Sequence, residues 1–158
     1  MEWKAAAGQM AEEWAIRRLA LLYARAVDRN QPEIFDEIFT EDASIEILGP
    51  LSPGRSPVRE GRAELKQMPG WAKNAFLGTL HKIHNQLVTV HGDSAEAEVY
   101  CTAEHLEKDR GGGATLFTMS IRYLDRLVKH GGHWRFKHRQ LVVEWTDVRQ
   151  VTRPAGAK

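Results

Sequence analysis

One cysteine in 158 residues leaves no intramolecular disulfide and no zinc site built on several thiolates. An excess of charge is lacking too: 22 Lys+Arg against 21 Asp+Glu leave a formal net charge of +1. That balance argues against a protein that coats nucleic acid. No apolar run approaches the ~18 residues of a membrane span. The opening Met1-Glu-Trp-Lys-Ala-Ala-Ala-Gly has no apolar stretch of the secretory kind. Repeats and low-complexity tracts are also missing. The expectation is a cytoplasmic protein that contacts neither membrane nor nucleic acid. Its hydrophobic content of 42% and charged content of 27% are those of an ordinary globular chain. The length suits one domain that buries roughly two-thirds of its unfolded surface.

The pattern along the chain divides it into helices followed by strands. Ile16, Leu19, Ala20, Tyr23 and Val27 recur at helical spacing within Glu12–Val27, with Arg17, Arg18 and Arg25 off that stripe. Pro32 suits the first residue of a second helix, whose apolar face is Ile34, Phe35, Ile38 and Phe39. Ala43 to Leu48 reads as a short strand, and the three prolines and two glycines from Gly49 to Pro57 read as a loop. A third helix follows Gly61 and is broken or kinked at Pro69-Gly70. Four strands then run over Ile83–Val90, Ala95–Lys108, Thr115–Lys129 and Trp134–Asp147, separated by His91-Gly-Asp-Ser, Arg110-Gly-Gly-Gly and His130-Gly-Gly-His. The expected fold is α+β: a curved, cone-shaped antiparallel sheet of four long strands and a short early one, covered by about three N-terminal helices. Residues 1–151 are expected to form a single domain and 152–158 a disordered tail. Such a cone is a natural small-molecule pocket.

Several stretches carry a resemblance: Ile16-Arg-Arg-Leu-Ala-Leu-Leu-Tyr-Ala-Arg-Ala-Val-Asp, Phe39-Thr-Glu-Asp-Ala, Gly61-Arg-Ala-Glu-Leu, His81-Lys-Ile-His-Asn, Val90-His-Gly-Asp-Ser-Ala, Tyr123-Leu-Asp-Arg-Leu and Gly132-His-Trp-Arg-Phe. In their order and spacing they resemble the SnoaL-like group of the nuclear transport factor 2-like superfamily, from about Ala11 to Trp145. Among its members the chain looks closest to scytalone dehydratase, bile acid 7-alpha-dehydratase and hexachlorocyclohexane dehydrochlorinase. That resemblance implies a histidine base, His81, oriented by an aspartate at the end of the first helix, Asp28. It also puts Tyr23 and His105 among the catalytic candidates. No tyrosine stands near Ile45 to Leu48, where some of these enzymes place one on the pocket wall.

Read as residues, the candidates face ordinary alternatives. A carboxylate at a helix C-terminus, such as Asp28, meets an unfavourable dipole, which a histidine can offset. His81 and His84, three apart on a strand, point to opposite faces, so His-x-x-His is not a metal site there. On a regular strand His81 shares its face with Ile83, Asn85 and Leu87. Tyr23 lies on the core stripe, where packing is the default. Val99, Cys101, Ala103 and His105 share one face of the second long strand, with a solvent-facing His105 as the default. Cys101 lacks a basic neighbour in sequence, so it is a candidate substrate contact rather than a nucleophile. Asp125-Arg126 reads as a cross-strand charge pair. On the last strand Arg139, Leu141, Val143 and Trp145 share a face; Arg139 and Trp145 are candidate substrate contacts, with exposure the default for Arg139. The basic hairpin from Arg126 to Arg139 reads as solvated.

The expected function is a cofactor-independent lyase or isomerase, dehydratase-like, acting on an apolar cyclic or aromatic small molecule through a His–Asp dyad and needing no metal. The alternative is a non-catalytic ligand-binding protein or one like the β-subunit of a ring-hydroxylating dioxygenase, in which Asp28 and His81 are not paired. The resemblance further implies a homo-oligomer, dimer or trimer, formed through the sheet.

Overall fold

The computed structural model describes residues 2–49, 58–108 and 113–152. A long helix, α1 (Glu2–Arg29), is followed by α2 (Ile34–Ile38), β1 (Phe39–Leu48), β2 (Val58–Glu60), α3 (Arg62–Leu65), α4 (Met68–Ala75) and four strands: β3 (Gly78–His91), β4 (Ser94–Lys108), β5 (Ala114–His130) and β6 (His133–Val151). The six strands form one sheet in the order β2-β1-β6-β5-β4-β3. The α+β class and the four long antiparallel strands are as expected. Residues 153–158, most of the expected tail, lie outside the described residues, as does most of the Pro-rich loop.

Four details differ from the sequence reading. The sheet is mixed, because β1 runs parallel to β6, pairing Ile45 with Arg139 and Ile47 with Leu141. A strand entered from a helix that crosses the sheet arrives in that direction, whereas a hairpin would have reversed it. β1 also begins at Phe39, which local spacing had given to the second helix. Val58–Glu60 adds the short edge strand β2, antiparallel to β1. Pro69 sits in the first turn of α4, where it lacks no hydrogen bond, so it starts a helix and does not kink one.

α1 ends where it does for a local reason. Asn30 adopts a left-handed conformation (φ 50°), the Gln31 N–H donates to the Ala26 carbonyl at 2.9 Å and the Asn30 N–H to Val27 at 3.3 Å. These are the paired bonds of a Schellman cap, and asparagine tolerates the positive φ better than a branched residue. The cap fixes Asp28 in the last helical turn. At its other end the covered part of α1 is tied down by Glu12, which accepts from Lys129 Nζ at 2.6 Å and Trp134 Nε1 at 2.5 Å. Between these ties Ile16, Ala20, Tyr23 and Val27 are buried against Phe35, Phe39, Phe136 and the inner face of the sheet.

The inner face is defined by register. Thr79, His105 and Phe117 lie in one row with Val148; His81, Ala103 and Met119 lie in the next with Thr146; Ile83, Cys101 and Ile121 lie in a third with Val143. Register irregularities change which residues reach it. An irregularity between Ile83 and Gln86 turns Gln86, Val88 and Val90 inward, so Leu87 is exposed and does not share a face with His81. A second sets Ser120 opposite Trp145 but Ile121 opposite Val143, so the extra residue Glu144 inverts the alternation of β6. No helix among the described residues is long and apolar enough to cross a membrane.

Candidate active site

β3 is an edge strand, and edge strands leave N–H and C=O groups without a ladder partner. α1 lies against that edge and supplies partners from its side chains. Arg17 donates from Nη1 to the Gln86 carbonyl. Asp28 Oδ2 accepts the His81 N–H at 2.8 Å, and Oδ1 accepts the Thr79 hydroxyl at 2.9 Å and His81 Nδ1–H at 2.7 Å. Thr79 and His81 stand two apart on β3, so both side chains reach the same carboxylate. Three donors therefore hold Asp28 in one orientation, and Asp28 holds the imidazole ring in one orientation, with Nδ1 turned to the carboxylate and Nε2 away from it. The side chains of His81 and Asp28 are 7% and 13% exposed. Burial pushes the Asp28 carboxyl up, but the hydrogen bonds and charge of His81, with the Thr79 hydroxyl, outweigh it and hold the carboxyl below its usual range. A lowered acid stabilises the fold above the ordinary carboxylate range, and that contribution is lost as pH falls through the lowered value.

Aromatic rings enclose the dyad. Tyr23 meets His81 edge-on at 6.4 Å, and its own hydroxyl is pushed up to about 12, first by burial, so it stays protonated. His105 lies 5.8 Å from His81, with Phe76 tilted over it at 4.6 Å and Phe117 at 6.1 Å. Against the solvent-facing default, His105 is 7% exposed, because Phe76, the residue that caps α4, packs over its ring. Its Nδ1 is buried without a hydrogen-bond partner among the described residues. Cys101 is buried one row from His81, accepts the Tyr123 hydroxyl at 3.8 Å, and is pushed up to about 11 chiefly by burial, which keeps it a thiol.

His105 gives the site a measurable pH signature. Burial first, and then the neighbouring charge of His81, pushes it down from 6.5 to about 4. The folded state then binds fewer protons than the unfolded state between these values, so stability is full above pH 6.5 and falls as pH drops towards 4. The loss amounts to about 3 kcal/mol at pH 4. Thermal unfolding of the unmodified chain and of His105→Gln, compared over this window, should diverge by that dependence, with the variant flatter.

Arg139 departs from its expected exposure. It is 0% exposed and forms a two-pronged ion pair with Asp125, Nε to Oδ1 and Nη2 to Oδ2, both at 2.7 Å. Asp125 and Arg139 are direct partners across β5 and β6, which realises the cross-strand charge pair with Arg139, not Arg126, as the cation. The guanidinium is stacked among the rings of Tyr123 (4.1 Å), Phe136 (4.2 Å) and Tyr23 (4.5 Å), and Nη1 is buried without a partner among the described residues. Burial disfavours its charge, yet Asp125 more than offsets this; burial pushes Asp125 itself up and Arg139 pulls it back. Trp145 is 68% exposed on the outer face, opposite Ser120, because of the bulge at Glu144. It is not brought to the dyad. Two open concavities, of about 490 and 470 Å³, also lie on the outer face, around Arg126 and His138, and neither includes Asp28 or His81. Among the described residues no three His, Cys, Asp or Glu side chains stand together as metal ligands.

Sequence reasoning did not single out Thr79, Phe76 or Phe117. Thr79 had a usable signal, its two-residue spacing from His81; Phe76 and Phe117 had none short of the packed fold.

The model for a SnoaL-like domain matches residues 8–140. The chain belongs to the SnoaL-like domain family. Solved structures similar to this SnoaL-like chain include a candidate scytalone dehydratase from Novosphingobium aromaticivorans. It is 26% identical with a TM-score of 0.73, and the match covers 95% of this chain and 97% of that one. A type 2 hexachlorocyclohexane dehydrochlorinase is 17% identical with a TM-score of 0.74, covering 94% and 97%. A protein from Kribbella flavida is 19% identical with a TM-score of 0.78, covering 88% and 95%. Among curated proteins, none matches the sequence. The solved structures similar to this chain thus include proteins named as a dehydratase and a dehydrochlorinase.

Proposed function

We propose that the chain is a cofactor-independent lyase or isomerase, dehydratase-like, acting on an apolar cyclic or aromatic small molecule. One observation carries the reading: His81 Nδ1 is bonded to the mostly covered Asp28 carboxylate at 2.7 Å, which turns Nε2 away from Asp28, and the His105 ring lies 5.8 Å from that of His81. In this reading Nε2 takes a proton from a carbon next to a carbonyl. Asp28 stabilises the imidazolium that forms. The C–H electron pair becomes the new double bond, and the leaving hydroxyl departs as water with the proton that the His81 imidazolium gives up, which regenerates the base. Tyr23, protonated through the neutral range, and His105, neutral there, are the groups to hydrogen-bond the carbonyl, the enolate or the departing hydroxyl. Cys101 lies on the inner face beside them and Arg139 stands beneath Tyr23, its charge already balanced by Asp125. The pairing of Asp28 with His81 favours this reading over a non-catalytic binding protein or dioxygenase β-subunit-like role, which needs no such pair.

An apolar substrate agrees with the surroundings of the dyad: Ile83, Phe117 and Met119 are partly covered on the inner face, and Val148 in the row of His105 is 62% exposed. Phe76 closes the His105 side. Phe76→Ala is therefore expected to lower KM several-fold for bulky ring substrates and to leave small ones little changed. Steady-state kinetics on two ring sizes checks this. The test of the function itself is a panel of cyclic β-hydroxy ketones, followed by the ultraviolet band of the conjugated ketone that loss of water creates.

A further inference from the structure

Of the three donors on Asp28, His81 supplies two. Its backbone N–H reaches Oδ2 at 2.8 Å and its Nδ1–H reaches Oδ1 at 2.7 Å, and this pair by itself sets the carboxylate plane against the ring. α1 is seated independently, by its cap at Asn30 and by Arg17 on the Gln86 carbonyl. The third donor, the Thr79 hydroxyl at 2.9 Å, adds little to that geometry, and it goes to Oδ1, the oxygen that already holds the imidazole. The strand aims it there. Thr79 precedes His81 by two residues on β3, and a β-branched side chain has few rotamers to choose from. What the hydroxyl changes is charge: an oxygen shared between two donors pulls less on each.

We propose that Thr79 is a positioning residue that acts through Asp28: by occupying Oδ1 it weakens that oxygen's hold on Nδ1, so that the imidazolium formed in each cycle gives its proton up again. That role rests on the reading of His81 as the base. Removing the hydroxyl has two effects of one sign. Asp28 loses a donor that helps keep its carboxyl low against burial, and the freed oxygen becomes a stronger acceptor for the imidazolium. Either way the dyad takes up its proton at a higher pH. The other titratable groups facing the ring do not mask this. On α1 the Tyr23 hydroxyl is protonated up to about 12, on β4 the Cys101 thiol up to about 11, and His105 is neutral above about 4. Deeper in, Asp125 on β5 and Arg139 on β6 balance each other. The end of α4 presents Phe76, and β5 presents Phe117 and Met119, none of which carries charge. A Thr79 that merely tied α1 to the edge of β3 would cost stability when lost and leave the dyad's protonation where it was.

Three variants test the proposal. Thr79→Val keeps the shape and removes the hydroxyl, Thr79→Ala removes it in a smaller side chain, and Thr79→Ser keeps it. The first readout is the pH profile of kcat/KM for exchange of the α-proton of a cyclic ketone in deuterated water. In Thr79→Val and Thr79→Ala its acid limb should move up by roughly 0.5–1 pH unit, the worth of one net hydrogen bond, with KM unchanged in Thr79→Val. Thr79→Ser should keep the limb of the unmodified chain. The second readout needs no substrate: the proton NMR resonance of the His81 Nδ1 proton should lie further downfield in the valine and alanine variants than in the serine variant and the unmodified chain. If the unmodified chain exchanges no ketone, the reading of His81 as the base falls, and the Nδ1 resonance still decides whether the hydroxyl moderates the dyad. An unmoved resonance in both Thr79→Val and Thr79→Ala would overturn the proposal. So would an unmoved acid limb where exchange is catalysed, or a serine variant that behaves as the valine one.

Discussion

His81→Gln should lower turnover by ~10²–10⁴-fold, the range over which a positioned general base contributes. Glutamine keeps the size and a hydrogen-bonding end near Asp28 but has no basic nitrogen to accept a carbon-bound proton. The fold should survive, because His81 faces a rim that is closed by Phe76 and the dyad and does not fill the deepest packing. Asp28→Asn should reach a loss of similar order by another route. An amide can turn either its oxygen or its NH₂ towards Nδ1, so the tautomer is no longer enforced and the imidazolium loses its counter-charge. Asp28→Asn also weakens the bonds from Thr79 and the His81 backbone, so it should cost stability as well as rate. Comparing kcat and thermal unfolding across both variants separates the two effects: His81→Gln moves chiefly the first, Asp28→Asn both.

The largest stability effect should come from Asp125→Asn, not from the dyad. Arg139 is fully buried, and its two bonds to Asp125 are what balance its charge. Removing one partner of such a pair leaves an uncompensated guanidinium among aromatic rings, at a cost of about 3–5 kcal/mol. For a chain of this size that is a fall in Tm of roughly 10 °C or more. The stacking of Tyr23, Tyr123 and Phe136 on the guanidinium is retained and does not replace the carboxylate. Replacing both partners together, Asp125→Leu with Arg139→Met, should restore much of the loss, because two apolar groups of similar volume need no partner. Differential scanning calorimetry of the unmodified chain and the two variants checks the order.

What was legible in the sequence follows from how local each feature is. The apolar stripe of α1 is written in consecutive turns, and Ile16, Ala20, Tyr23 and Val27 are all buried. The four long strands are punctuated by Gly-containing turns, and the observed hairpins fall at Gly92 and at Gly131-Gly132. Asp28 and His81 came from the likeness to known enzymes, since nothing within either stretch names the other across 53 positions. The direction of β1 was not legible, because it depends on β6, which receives it 94 residues onward at Ser44 and His138. The faces of Leu87 and Trp145 were misassigned for one physical reason: strict alternation assumes no bulge, and each lies beyond one. Arg139 had the alternation of a buried residue but the chemistry of an exposed one. Its burial makes sense only with Asp125 opposite it on the neighbouring strand, and with three rings on which to stack.

The central claim is that His81, held by Asp28, removes a proton from carbon. Exchange of the α-proton of a cyclic ketone in deuterated water, followed by proton NMR for the unmodified chain and for His81→Gln, tests that step apart from any leaving group. The account predicts exchange catalysed by the unmodified chain and reduced to the uncatalysed rate in the variant. Equal exchange by both proteins would contradict it.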